Sequence, residues 1–472
     1  MTIDGATSDV LQRVDFGRFD AETDEKLLDY FVQTGTASET TTGKSLVVGR
    51  KGSGKTALFR YVAATAPGHI VELDLENYVF QVHRHLKESG VTDALAYTSS
   101  WRVVIGVAAY VKIRSSLGFA KRRRGDRLLR QVGAGPDKAS LGAILDWLKR
   151  VRKVKLPSIP SIADLGTLEL SEGSEKVIDN STSQFLERIE ELIIDSCRRT
   201  PISILIDRLD DAWDGNLESL RLVAGAIRAA RHYRVKLPQT GFAPVIVFLR
   251  TDLWDKIEFN DKNKVSQDTI YLDWAEEELE KVVDARIQKS AGVPEGEGWS
   301  TVFTTDEMRQ RASARRYMLK RTLGRPRDII AFSALARSVA INAGHTRIER
   351  PDIYEAEVQY SRHLVDELRD EIGEHIPDFA TVINAIKSLR ARTFTLTDWG
   401  VAAESSGIDQ ADRERVLDQL FEASAVGVHR AGGSQGGSST VFRYQDRFLK
   451  ATESGTLQVH LGLVKELGLT DR

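Results

Sequence analysis

Residues Gly49, Arg50, Lys51, Gly52, Ser53, Gly54, Lys55 and Thr56 follow the pattern G-x-x-x-x-G-K-[ST] in full. Glycines at this spacing let the backbone wrap so that successive N–H groups point into one concavity. A following helix adds its positive end, and the concavity suits a phosphate. In such a loop Lys55 reaches the terminal phosphates and Thr56 offers its hydroxyl to Mg²⁺. The surroundings fit: the apolar strand SLVVG precedes the glycines and the helical stretch TALFRYVAAT follows them. The spacing therefore predicts a nucleotide phosphate site built from Gly49 through Ala57.

A phosphate loop needs a second metal anchor from a neighbouring strand. The run ISILID reads as a buried strand that delivers the carboxylate of Asp207 to the edge of a sheet. Thr56 and Asp207 are thus the expected magnesium ligands. Arg208 comes next, where many nucleotide-hydrolysing enzymes place a second acid, and an arginine cannot act as a base. Any acid that orients the attacking water must come from elsewhere. Asp210 and Asp211, three and four residues beyond Asp207, are the candidates as a pair. Asp74 and Glu76, at the end of an earlier strand, are weaker ones.

These residues need elements to hold them. At 472 residues the chain exceeds one ordinary core. Strand, turn, helix and strand from Ser45 to Leu75 open a parallel α/β sheet, and the alternation resumes in ISILID, LESLRLVAGAIRAARHY, PVIVFLR and TIYLDW. The divisions this texture predicts are a helical segment over 1–35, an α/β core over 36–108 and 182–274, and a basic helical and loop insertion over 109–181. A helical lid follows over 275–375, with a C-terminal domain over 376–472. A net charge of −2 argues against a protein that coats nucleic acid with its whole surface. The single cysteine, Cys197, excludes an internal disulfide and fits a reducing compartment. The start MTIDGATSDV lacks the features of a signal peptide. The most apolar run, VVIGVAAYV, is about half of the ~20 residues a membrane helix needs. The expectation is a cytoplasmic protein without a membrane partner. His83 and His85 are two residues apart, which puts them on different sides of a helix rather than on one metal.

In the C-terminal domain, FTLTDW reads as a helix start capped at Thr395 or Thr397, and Asp409 to Ala425 as a second amphipathic helix. VGVHR and TVFRY read as strands joined by AGGSQGGSS, which completes a winged helix-turn-helix. Its second helix carries Asp409, Asp412, Glu414, Asp418 and Glu422 against Arg413 and Arg415. DNA repels such a helix, so a protein-facing or intramolecular winged helix is preferred to a DNA reader. The basic run around Arg122 to Arg130 is the better nucleic-acid candidate, although such runs are commonly solvated faces.

Taken in order, FGRFDAE, VVGRKGSGKTAL, ILIDRLDDAW, VFLRTDLWD, LGRPRDII and VHLGLVKELGL make the chain resemble a family of bacterial P-loop ATPases. That family is related to the AAA+ and STAND classes and to origin-recognition-type initiators. The resemblance implies an α/β fold: a P-loop NTPase parallel sheet with a helical lid and a C-terminal winged-helix domain. It implies ATP and Mg²⁺ as ligands, a sensor at Arg250 and Thr251, and a lid arginine at Arg327 after the turn Gly324-Arg325-Pro326. Arg286, Arg316 and Arg321 are candidates for fingers acting on a second subunit. The phosphate loop, the strand-end acid and the turn Gly324-Arg325-Pro326-Arg327, occurring in that order, lead to an expected function as a hydrolysing conformational switch with a homo-oligomeric or protein partner. The alternatives are a nucleotide-loaded module with little turnover, in keeping with Arg208, and an initiator-like DNA-binding ATPase.

Overall fold

Three apolar runs, LVVG, ISILID and VIVFL, become buried parallel strands because helices cover both faces of the sheet they form. In the computed structural model, the described residues are 10–74, 94–131, 180–212, 217–238, 241–376, 378–430, 432, 437–451 and 455–471. Their contacts divide the chain into two compact units. A sheet unit comprises Gly35–Arg50 and Leu58–Leu272, and a helical unit comprises Met1–Thr34, Lys51–Ala57 and Asp273–Arg472. His83, His85, Glu76 and the stretch KRVRKVK lie outside the described residues.

The sheet unit contains β1 (Leu46–Gly49), β2 (His69–Asp74), β3 (Ile202–Asp207), β4 (Val245–Arg250) and β5 (Thr269–Tyr271). Their order is β2-β3-β4-β1-β5, with every pairing parallel. All of β1 and β3 is buried, and β4 is buried up to Arg250. Continuous apolar strands of this kind are the signature of a sheet covered on both faces, each buried Ile or Val contributing about 1.5–3 kcal/mol. Register brings functional positions to one edge: Gly49 stands opposite Arg250, and Asp74 opposite Asp207.

Among the described residues, the helices of this unit include α1 (Lys55–Thr65, from Leu58 on), α2 (Ala94–Ile113), α3 (Phe119–Gln131), α4 (Asn180–Cys197), α5 (Leu217–Lys236), α6 (Thr251–Lys256) and α7 (Lys262–Ser266). α2 runs through residue 109, where composition alone placed the start of an insertion. Its residues Val103, Val104, Ile105, Val107 and Tyr110 are all buried. α2 and α5 approach closely, because a Cβ on Gly225 would stand 2.8 Å from Cβ of Tyr97. Trp101 Nε1 donates to the carbonyl of Leu222 at 3.0 Å across the same contact. On α3, Lys121 pairs with Asp195 and Arg124 with Glu191, so acids on α4 answer part of the basic run. Cys197 is buried in α4, which pushes its thiol up to about 11 and leaves it inert at neutral pH.

The helical unit contains α8 (Glu276–Ala291), α9 (Ala314–Leu319), α10 (Pro326–Asn342) and α11 (Arg350–Ile372). Pro326 opens α10 at its first position, where the missing N–H costs nothing. Phe332 of α10 stacks on Tyr360 of α11 with ring centroids 4.6 Å apart. The chain continues into α12 (Phe379–Ser388), α13 (Leu396–Ser405) and α14 (Gln410–Glu422), with β6 (Thr393–Thr395), β7 (Val426–Arg430), β8 (Ser439–Val441) and β9 (Thr456–Val459). These strands form an antiparallel sheet ordered β6-β9-β7-β8. Thr395 caps α13 through a reciprocal pair with Asp398. α14 buries Val416, Leu417, Leu420 and Phe421 and leaves Asp409, Glu414 and Asp418 exposed. No helix among the described residues is long and apolar enough to cross a membrane.

One buried carboxylate ties three helices of the sheet unit together. Glu190 of α4 is 2% exposed and accepts from Arg102 of α2 at 2.7 Å and Lys236 of α5 at 2.9 Å, while Nε2 of His232 lies 3.0 Å away. Burial alone would raise its carboxyl, but the contacts with His232, Arg102 and Lys236 outweigh that and hold it at about 2. A carboxyl lowered in the folded chain stabilises it above the unfolded value and loses that contribution as the pH falls through the folded one. Glu190→Gln should therefore cost about 3 kcal/mol at neutral pH. The deficit, read by urea denaturation, should shrink as the pH falls from about 4.5 towards 2. A deficit independent of pH would contradict this origin.

Candidate functional site

β1 ends at Gly49 and α1 begins at Lys55, so the residues between must turn tightly. Gly52 has φ +78° and Gly54 φ +95°, a region that side chains rarely adopt. A Cβ on Gly52 would also stand 3.3 Å from Cβ of Arg327 and 3.5 Å from Cδ of Arg325. Both glycines are thus required, one of them by conformation and by space.

Within the helical unit the loop tip is gripped from several sides. Trp274 Nε1 donates to the carbonyl of Ser53 at 2.8 Å, and Arg325 Nη1 donates to the carbonyl of Lys51 at 3.2 Å. Arg325 is 1% exposed, with Asp328 at 3.0 Å and Glu371 at 3.2 Å. Burial opposes its charge, and these two carboxylates more than restore it, so it holds its proton more tightly than an ordinary arginine. Arg327 pairs with Glu367 of α11 at 3.1 Å. Burial raises the Glu367 carboxyl, but Arg327, Arg325 and Lys51 outweigh it and leave it below the ordinary glutamate range. The hydroxyl of Thr56 donates to Oε1 of Glu22 at 3.1 Å.

Glu22 owes its place to a clasp on α8. Arg286 is buried, lies 3.2 Å from the buried Asp24, donates to the carbonyl of Phe16 at 2.7 Å and sits 4.0 Å over the Tyr30 ring. The Tyr30 hydroxyl donates to Asp24; burial first, then this carboxylate, pushes the phenol up. This corrects one expectation. Arg286 is no free finger for a second subunit, because its guanidinium holds the N-terminal segment. Arg321 is likewise committed, to Glu357 at 2.6 Å and to the face of Tyr317 at 3.4 Å. Of the three finger candidates, Arg316 is the exposed one.

The sheet unit presents its own constellation at the carboxyl ends of β3 and β4. Asp207 is 5% exposed and accepts the amide of Arg208 at 2.9 Å. Arg208 has φ +60°, a left-handed backbone that costs an ordinary residue about 1–2 kcal/mol. It turns the chain from β3 into the single 3₁₀ turn Leu209–Ala212. Asp210 lies in that turn with Oδ2 4.0 Å from Nε of Arg250, whose guanidinium also forks onto Asp252 at 3.0 and 2.9 Å. Thr251 is the first residue of α6. Asp207, Asp210 and Arg250 thus share one edge, while the side chain of Asp211 lies outside the described residues.

Glu22, Trp274, Arg325 and Glu367 escaped the reading of the sequence. Their neighbours in the chain carried signals, FGRFDAE for Glu22 and the G-x-P turn for Arg325, but nothing local assigned them to the loop.

Comparison with known proteins adds context. A family model described as the FunZ-associated C-terminal helical domain matches residues 277–369, the stretch from α8 into α11. The chain is 24% identical over 448 residues to a putative transposon gamma-delta 80.3 kDa protein of Escherichia coli K12, covering 88% of this chain. It spans 61% of that relative's length. Among solved structures, the Aeropyrum pernix ORC2 protein, in ADPNP–ADP complexes, is 11% identical, with 94% of this chain and 97% of that one covered at a TM-score of 0.40. Cdc6p from Pyrobaculum aerophilum is 10% identical, with 98% and 96% covered at 0.30. At that degree of superposition the fold rests on the sheet order and loop described above.

Removing one member of a buried ion pair strands the other, at a cost of about 3–5 kcal/mol. Asp24→Asn is expected to destabilise the chain by an amount in that range and to open the segment around Glu22 to limited proteolysis. Denaturation and cleavage indistinguishable from the parent chain would show that the clasp does not hold it.

Proposed function

We propose that this chain is a cytoplasmic, Mg²⁺-dependent ATPase that works as a conformational switch. The observation that carries the reading is the start of α10 resting on the glycine loop: Arg325 bonded to Lys51 and Arg327 against Gly52. A helix that can answer phosphate occupancy needs its cations at that loop.

The residues suit the ligands. The amides from Gly49 to Ala57, with Arg50, Lys51, Ser53 and Gly54 among them, line the phosphate concavity, and Lys55 supplies an ammonium. Thr56, whose hydroxyl donates a hydrogen bond to Glu22, is the first magnesium ligand in this reading and Asp207 is the second. Magnesium, when bound, would neutralise charge on the transferring phosphoryl group. Asp210 and Asp211 are assigned to orienting water, with Arg250 and Thr251 as sensor. Arg327 is the lid arginine: a phosphate competes with Glu367 for its guanidinium, and α11 carries the outcome onward. The C-terminal helices and sheet read as a winged helix, and the exposed acids of α14 favour a protein partner, a second copy included, over DNA.

A second reading has its own observation. Arg208, held left-handed beside Asp207, fills the place of a second acid, which favours a nucleotide-loaded module with slow turnover.

ATP at a hundredfold excess over its dissociation constant should stabilise the chain by about 2.7 kcal/mol, and Lys55→Ala should abolish the corresponding melting shift. A shift that survives Lys55→Ala would remove the phosphate-loop reading. In single-turnover assays, Asp210→Asn or Asp211→Asn should slow hydrolysis by about 10²–10⁴-fold if that residue positions the water. Parent chain that binds ATP yet never hydrolyses it would establish the second reading instead.

A further inference from the structure

The sheet unit holds a cavity of about 410 Å³ between α2, the last turns of α5 and the segment joining α6 to α7. By connectivity this is the end of the sheet where β4 and β5 begin, whereas Asp207 and Arg250 stand where β3 and β4 finish. Its volume falls within the ~300–1,000 Å³ of small-ligand sites.

The lining is largely basic, with one phenyl ring, Phe259, among the cations. Arg228 and Arg231 lie three apart on α5, one turn above the other, and both are half-buried. Neither guanidinium has a hydrogen-bonded or ion-paired partner among the described residues. The Arg228 guanidinium lies over the Phe259 ring, 5.6 Å from its centroid, so the flat cation and the flat apolar ring form one continuous wall. Thr98 and Asn260 add neutral hydrogen-bonding groups to the wall. Lys236 is present too, but Glu190 already engages it. The floor is stiff for the same reason, since Glu190 holds Arg102, His232 and Lys236 together beneath the cavity. The acid in the lining is Asp261, exposed and paired with Lys264 at 2.9 Å; Lys264 first, and then the charges of Arg231 and Arg228, hold its carboxyl low, but it forms no hydrogen bond or ion pair with either arginine. The two arginines therefore keep their donors for something else.

We infer that this cavity is a second ligand site, separate in its residues from the glycine loop, which takes a nucleoside monophosphate or the nucleotide unit of a small phosphorylated signal. Arg228 and Arg231 take the phosphate, Phe259 carries the planar base, and Thr98 and Asn260 meet its polar edge. Guanidinium forks match phosphate geometry with two parallel N–H donors. An acidic peptide would satisfy the cations but would leave the aromatic wall without a flat partner. The nucleotide uses both.

The test uses the full-length chain carrying Lys55→Ala, which separates this site from the proposed phosphate-loop site. Titration with fluorescent mant-AMP at low salt, followed by anisotropy, should give saturable binding. Adding Arg228→Ala and Arg231→Ala together should weaken it at least about tenfold, the least that losing charge-assisted bonds to a phosphate implies. Phe259→Leu, which keeps an apolar side chain against Trp254 but removes the flat ring, should weaken it less, with the fold checked by circular dichroism. Should the alanine pair melt early, Arg228→Gln with Arg231→Gln keeps the stems and is read in its place. Absence of saturable binding, or affinity retained by the double variant, overturns the inference. So does binding of a labelled oligo-dT strand without binding of mant-AMP, which would make the cavity part of a nucleic-acid track.

Discussion

The organisation of the helical unit depends on a guanidinium with almost no access to water. An arginine as buried as Arg325 is tolerable only when its charge is matched, because desolvating a charge costs several kcal/mol. Asp328 and Glu371 provide the opposite charge, and the carbonyl of Lys51 accepts another of its N–H groups. Those partners belong to α10, to α11 and to the glycine loop. The cost of burying Arg325 is met only while all three stay together, so the cation acts as a rivet whose removal leaves two acids facing each other. Arg327, two residues along, inherits its position against Gly52 from that rivet.

The same logic recurs with the sign reversed. In the sheet unit the buried group is a carboxylate, Glu190, and three cationic or polar side chains converge on it from two other helices. At the N-terminal segment, Asp24 and Arg286 are both buried, with Tyr30 closing the pair. Hydrophobic packing would hold these helices near one another, but packing is non-directional. Matched buried charges add an orientation, and each instance here aligns a segment that carries a candidate functional residue. Asp24 steadies the segment of Glu22, and Glu190 underlies the cavity of Arg228 and Arg231.

Much of this was legible from sequence where the physics is local. The glycine loop, the strand ending at Asp207, Pro326 at the start of α10 and the cap at Thr395 all follow from short-range rules about φ, orphan amides and burial. What stayed hidden depends on contacts between residues far apart in the chain. Glu22 meets Thr56 across 34 residues, and Arg325 meets Lys51 across 274. Composition cannot tell an arginine on a lid helix that points outward from one that is walled in. Arg286 and Arg321 looked alike as finger candidates for that reason, and both turned out to be committed to carboxylates within the fold. Arg208 was noticed for its charge, whereas its backbone is the unusual feature. Its positive φ starts the turn that brings Asp210 within 4.0 Å of Arg250.

These arginines differ in how much bonding capacity they keep. A guanidinium has five N–H donors, and one carboxylate uses at most two of them. Arg325 and Arg286 are enclosed and direct donors to acids and carbonyls, while Nη2 of Arg325 and Nε of Arg286 find no hydrogen-bond partner among the described residues; with almost no access to solvent, both are structural. Arg327 pairs with one glutamate and remains half-buried, so an incoming anion can add to that pair or displace the glutamate without opening the core. If a phosphate displaces it, Glu367 loses the partner that most strongly offsets its burial, and its carboxyl should rise towards the neutral form. α11 would then feel occupancy of the loop as a change in charge on its own side chain. That gives the proposed switch a physical transmission step, one that needs no movement of Arg325 or of the rivet it forms.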